Sequence, residues 1–166
     1  DVRVIKNFLP RTFFLHLRDL VMGGDFPWYY NKSTLTNMDD GYFMFVHALM
    51  WNSEVVSPLY NEFQQMLPYV KEALDYKKLT RLKLNCYPNQ NKKILHPLHI
   101  DAYEHNTKDY VIGVLHFNTC NGETIVNDEK IKSEENQMLL FDNIPHQSAV
   151  QTDTRTRVIL NFNFKI

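Results

Sequence analysis

His99 and Asp101 stand two residues apart, with only Ile100 between them. In a strand, that spacing sends an imidazole and a carboxylate to one face, where both can hold one ion. With 7 His and 19 acidic residues in 166 positions, about one His-x-Asp/Glu arises by chance, so the pair alone is a weak signal. Residues further along the chain add weight. His146 comes after the apolar run 138–141 and the turn residues Asp142-Asn143-Ile144-Pro145. Arg155 and Arg157 then stand at the head of a final apolar run, 158–164. Two imidazoles and one carboxylate that leave coordination positions open form a ligand set suited to Fe(II). An arginine adds a planar fork that fits a carboxylate.

Strand parity groups further residues with these. If Tyr87 faces the interior of a barrel, Asn85 and Lys83 face it too, as do Asn161 and Asn163 with Arg157, and Asn118 with His116. So many amides on an inward face suit a polar pocket better than a plain core. Cys86, of opposite parity to Tyr87, is expected to face supporting helices as a small apolar residue. Arg155, beside Asp153 and Thr154, reads as a solvated turn residue. His96 and His105 flank the His99 motif as supporting or surface groups, while His16 and His47 read as a helix-face and a strand residue.

The elements that must carry these residues divide into a helical first half and a strand-rich second half. A short strand is expected at 2–5. A helix follows Pro10, with Phe13, Phe14, Leu17, Leu20 and Val21 on a 3.6 period, and Gly23-Gly24 ends it. Residues 25–40 read as a long loop. Ser57-Pro58 opens a second helix that kinks or restarts at Pro68. From Thr80 the pattern shifts to short alternating runs, with strands expected near 80–87, 96–101, 109–118, 123–127, 138–142, 146–151 and 155–165. Such a pattern predicts an α+β, mainly β fold, a sandwich or jelly-roll barrel buttressed by N-terminal helices. The expected organisation is a single domain, 1–166, with helical support over 1–78 and the barrel core over 79–166.

Composition bounds the class. Apolar residues make up 44% and charged residues 22%, which is globular. The 18 Lys and Arg against 19 Asp and Glu, a net charge of −1, disfavour a domain that coats nucleic acid. Apolar runs such as 42–51 are too short for a membrane span. Two cysteines, Cys86 and Cys120, make no disulfide framework or zinc-finger set and point to a reducing, cytoplasmic compartment.

Asn85-Cys86-Tyr87-Pro88, His99-Ile100-Asp101, His116-Phe117-Asn118, Leu139-Leu140-Phe141-Asp142, Pro145-His146 and Arg157 occur in an order and spacing that resembles the Fe(II)/2-oxoglutarate-dependent oxygenases. The closest flavour is the prolyl-hydroxylase-like branch, of the small bacterial or phage type, and the resemblance covers about residues 79–165. It implies a double-stranded β-helix, a jelly-roll barrel, with His99, Asp101 and His146 as ligands of Fe(II). It further implies that Arg157 pairs with the distal carboxylate of 2-oxoglutarate and that Tyr87 lines the cosubstrate pocket. His116 stands where those prolyl hydroxylases carry a tyrosine, so the hydrogen bond to the distal carboxylate would come from an imidazole. Cys120-Asn121-Gly122 has one glycine where a pair is common.

The implied activity consumes 2-oxoglutarate and O₂ and hydroxylates a C–H bond of a primary substrate, with peptidyl proline the first candidate. Related halogenases replace the carboxylate ligand with a small residue, so Asp101 favours hydroxylation. Two rivals stand beside this reading: a cupin-like metal enzyme without 2-oxoglutarate, and a non-catalytic β-sandwich module binding through the aromatic loop at 26–30. Arg157 counts against the first, since it would have no carboxylate to clamp.

Overall fold

A computed structural model describes residues 1–35, 39–103 and 107–166. Eleven strands and three α-helices are arranged among them. In chain order these are β1 (Arg3–Ile5), α1 (Arg11–Met22), β2 (Tyr29–Asn31), β3 (Met44–Trp51), β4 (Glu54–Val55), α2 (Tyr60–Phe63) and α3 (Leu67–Ala73). Then come β5 (Lys78–Pro88), β6 (Tyr110–His116), β7 (Cys120–Val126), β8 (Glu129–Ser133), β9 (Gln137–Asp142), β10 (His146–Ala149) and β11 (Thr156–Lys165).

The large sheet runs β1-β9-β6-β11-β5-β3-β2, with β4 paired to β3; the small sheet runs β10-β7-β8. Every strand pairing is antiparallel. The two sheets enclose an inner core of Tyr87, Ile112, Val114, Val126, Ile131, Leu139, Phe141 and Ile159. This is the mainly β jelly roll that the sequence predicts.

Period two splits the long strands between two duties. Leu82, Leu84 and Cys86 of β5 and Val158, Leu160, Phe162 and Phe164 of β11 face outward, into a second core. Helix α1 supplies Phe14, Leu17 and Val21 to that core, on an i, i+3, i+7 stripe, and the α2–α3 region adds Phe63, Met66 and Val70. Each such side chain, fully buried, contributes roughly 1.5–3 kcal/mol of transfer free energy. Pro68 sits in the first turn of α3, where its missing N–H costs nothing, and accounts for the restart after a short 3-10 turn at Gln64–Met66. Gly113, on the outward face of β6, leaves room for the rings of Phe162 and Phe164, which a Cβ there would meet at 3.0–3.2 Å.

The structure differs from the sequence expectations in three places. The stretch read as strand 96–101 is no strand; it touches the small sheet only through isolated bridges, Leu95 with Ala149 and His99 with His146. Strand β8 was not expected, and it follows β7 through a two-residue turn, Asn127-Asp128, with φ of 47° and 65°. Finally, the first 78 residues supply more than helical support. Strand β2 falls inside the expected loop 25–40, and β3 pairs directly with β5, so the large sheet crosses the boundary drawn at residue 78. His105 lies outside the described residues.

Candidate metal centre and carboxylate pocket

The odd residues 81–87 of β5 and 157–161 of β11 point between the sheets, as their parity requires up to the register shift at Asn163/Phe164. There they meet the strip 94–101, which is stitched to β10 by backbone bonds: His96 N–H to Ser148 O at 2.9 Å, and a mutual pair between His99 and His146 at 3.0 and 2.9 Å. This pairing sets the two imidazoles side by side, with ring centroids 4.6 Å apart.

Each imidazole is fixed by its other nitrogen. Nδ1 of His99 lies 3.0 Å from Pro97 O, and Nδ1 of His146 lies 2.8 Å from Ile144 O. A carbonyl only accepts, so both Nδ1 atoms carry the proton and both Nε2 atoms present lone pairs. Those Nε2 atoms converge on Oδ1 of Asp101, at 3.4 and 3.5 Å. The three ligand atoms lie within 4.8 Å of one another, a spacing that one divalent ion can bridge.

Oδ2 of Asp101 is already engaged, accepting from Arg81 Nη2 at 2.7 Å and Asn161 Nδ2 at 2.9 Å, while Arg81 also donates to Asn161 Oδ1 at 2.6 Å. Only Oδ1 is therefore free to face the imidazoles. Burial opposes ionisation of Asp101, yet Arg81 beside it holds its carboxyl well below the usual range, and each imidazole adds to this when its Nε2 carries a proton. Asn143 clamps the approach to Asp101: its Oδ1 accepts from the N–H groups of Asp101 and Ala102 at 3.0 and 3.2 Å, and its Nδ2 donates to Ala102 O at 2.8 Å.

Arg157 lies beneath the other end of the same space and is fully buried. Nη2 donates to Thr124 Oγ1 at 2.9 Å and stands 3.5 Å from His116 Nε2; Nε and Nη1 have no hydrogen-bond partner among the described residues. The guanidinium carbon is 5.7 Å from the centre of the Tyr87 ring. A buried guanidinium with unused donors and no carboxylate partner is costly unless an anion completes it. His116 is itself buried, and burial, with Arg157 adding to it, pushes its pKa down to about 3, so it is a neutral imidazole at this spot. Gly122 gives Arg157 its room: a Cβ there would come within 2.6 Å of Arg157 Cδ.

A cavity of about 150 Å³ runs from the triad to Tyr87 and Thr124, the two side chains that cover Arg157. Its lining includes Lys83, Asn85, Tyr87, His96, Thr124 and Asn161 along with the three convergent residues. His99, Asp101, His146, Tyr87, Arg157 and His116 are thus brought together, and Arg155 is left exposed at the surface, as expected. Two of the amides expected to line the pocket do not. Asn118 is used by the backbone, bridging Thr156 O and Val158 N–H, and Asn163 lines a shallower depression beside Trp51. Arg81 and Asn143 escaped the sequence reading. Arg81 shares the parity of Lys83, Asn85 and Tyr87 and was legible on that ground; Asn143 in a turn carried no signal.

No protein-family model matches the chain, and no curated protein matches its sequence. Solved structures do. An oxidoreductase of the 2OG-Fe(II) oxygenase family from Burkholderia pseudomallei superposes with a TM-score of 0.69 at 7% identity, covering 99% of this chain and 85% of the other. A Pseudomonas putida prolyl-4-hydroxylase gives 0.64 at 13%, covering 99% and 91%. The alpha ketoglutarate dependent epimerase SnoN from nogalamycin biosynthesis gives 0.69 at 12%, covering 99% and 78%. The chain therefore has the fold of the Fe(II)/2-oxoglutarate oxygenases, prolyl hydroxylases among them.

Proposed function

We propose that this chain is an Fe(II)- and 2-oxoglutarate-dependent dioxygenase that hydroxylates a C–H bond of its substrate. The observation that carries this reading is a cavity with an open triad of two imidazole Nε2 atoms and one carboxylate oxygen at one end, and at the other Tyr87 and Thr124, behind which a buried guanidinium lies with no carboxylate partner among the described residues. A cupin-like enzyme without 2-oxoglutarate leaves Arg157 unexplained, and a binding module leaves the triad unexplained. Solved structures with this fold carry out hydroxylation and epimerisation, so the fold itself selects no substrate. Peptidyl proline remains the first substrate that the sequence resemblance implies.

His99, Asp101 and His146 would hold the iron. When bound, iron and 2-oxoglutarate supply an oxidant able to attack an unactivated C–H bond. The remaining chemistry belongs to the chain. Carbonyls of Pro97 and Ile144 keep the imidazoles in the tautomer that coordinates. Arg81 keeps Asp101 ionised, and with Asn161 it restricts Asp101 to one oxygen, which leaves coordination positions for cosubstrates. Arg157 would receive the distal carboxylate with its unused donors, with Thr124 steadying Nη2 and the Tyr87 ring beside the guanidinium. The apolar walls Val114 and Ile159 shield the space between from water.

Among the described residues no helix is long and apolar enough to cross a membrane. The two cysteines are free and buried, which suits the reducing cytoplasm. The test is succinate formation from 2-oxoglutarate with Fe(II), run with proline-containing peptides, free amino acids and nucleosides. A protein that neither binds 2-oxoglutarate nor turns it over with any of them contradicts the proposal.

A further inference from the structure

Three cations stand in or under the cavity: Arg81, Lys83 and Arg157. Arg81 is committed to Asp101 and Asn161, and Arg157 lies at the far end beneath Tyr87. Among the described residues Lys83 makes no hydrogen bond and no ion pair, and the negative charge that acts on it is that of Asp101, already held by Arg81. Burial, with Arg81 beside it, lowers its pKa to about 8, so its charge is carried at a cost inside this space.

The position of Lys83 separates it from the carboxylate pocket. It pairs with Asn161 on β11, whereas Tyr87 pairs with Arg157, four residues further along both strands. At about 3.3 Å per residue the two cations enter the cavity roughly 13 Å apart along the strands. Lys83 belongs to the Asp101 end, since Asn161 touches that carboxylate. One small diacid clamped by Arg157 satisfies the far end and leaves Lys83 unanswered. Next to it, Asn85 presents a buried Oδ1 with no partner. With a divalent ion and a doubly charged cosubstrate balancing each other, Asp101 is left facing Arg81 and Lys83, one more positive charge than the described residues at that end answer.

Resting on the reading above, we propose that Lys83 anchors a carboxylate of the primary substrate, so that the enzyme acts on a small carboxylic acid such as a free amino acid. A carboxylate fits better than a phosphate. A phosphate dianion calls for several converging donors, as at a helix N-terminus or a cluster of cations, and this cavity is walled by strand side chains with a single ammonium unpaired among the described residues.

The experiment is calorimetric titration of the Mn(II)- and 2-oxoglutarate-loaded protein with matched probes. These are the standard L-amino acids and their amides, L-proline and L-prolinamide included, and a blocked proline-containing peptide. At least one free acid should bind about 10- to 100-fold more tightly than its amide, the scale of one charge-assisted contact. Lys83→Met, of similar shape, should erase that preference, while Lys83→Arg should retain part of it. Lys83→Gln repeats the test if the Met variant folds poorly. In all three variants 2-oxoglutarate should bind within about threefold of wild type, as for a group that does not touch it. The inference is overturned if amides or the blocked peptide bind as well as acids, if no acid binds, or if Lys83→Met weakens 2-oxoglutarate itself. Wild-type protein that takes up neither Mn(II) nor 2-oxoglutarate fails at an earlier step and overturns the oxygenase reading instead.

Discussion

Asp101 holds the triad together because its two oxygens have different partners, one facing the imidazoles and the other tied to Arg81 and Asn161. Asp101→Ala should abolish Mn(II) binding and substrate-coupled succinate formation; turnover at the wild-type rate would show that the ligand set is misassigned. At the other end, Arg157→Ala should raise KM for 2-oxoglutarate about 10- to 100-fold, the scale of a charge-assisted bond of roughly 1.5–3 kcal/mol. The exposed Arg155→Ala should change it by less than about threefold. Gly122→Ala places a methyl against Arg157 Cδ. It should raise the same KM while leaving Mn(II) affinity unchanged, which steady-state kinetics and metal titration distinguish. For His99, burial favours the neutral ring, but the bond to Asp101 and its charge outweigh it and raise the pKa above 6.5. Protons therefore compete with metal for Nε2, and Mn(II) affinity should fall as the pH drops through that raised value. Without metal the sign reverses: the imidazolium–Asp101 attraction is fully present below pH 6.5 and is lost as the pH rises through the raised pKa. The triad and Arg157 were legible because their chemistry needs particular residue types. Arg81 was passed over because an arginine in a strand is unremarkable until its carboxylate partner, 20 residues away in sequence, is seen beside it.

At the scale of elements, alternation worked where one face is uniformly apolar. β5, β6, β9 and β11 fell where expected because one or both of their faces are buried. β8 was missed because Glu129-Lys130-Ile131-Lys132-Ser133 has a single apolar residue. It is an edge strand whose lysines guard against further pairing, and such strands look like loops in sequence. Its turn was readable: Asn127-Asp128 supplies two left-handed residues, as a two-residue hairpin needs, and Asn52-Ser53 does the same between β3 and β4. The stretch 96–101 reads as a strand because its alternation is real, while the strip that holds it meets the small sheet through only two bridges. Leu160→Ala, on the outward face of β11, should cost about 2–5 kcal/mol in chemical denaturation. It should leave Mn(II) affinity unchanged, since the residue contributes only to the helix-facing core.

For the whole molecule, ligand binding should register as stability. A metal present at about 100 times its Kd adds roughly 2.7 kcal/mol to a folded state that alone binds it. In a chain of this length that should raise Tm by about 5–11 °C. Scanning calorimetry with and without Mn(II) checks this, and Asp101→Ala should show no such rise.

The strands that carry the site carry the main core on their opposite face, and each duty is confined to alternate residues. In evolutionary terms the arrangement decouples specificity from folding. Positions 83 and 85 can drift toward new ligands while Arg81 keeps its hold on Asp101 and 82, 84 and 86 hold the barrel against its helices, so a lineage built on this sheet can change what its cavity accepts without passing through unfolded intermediates.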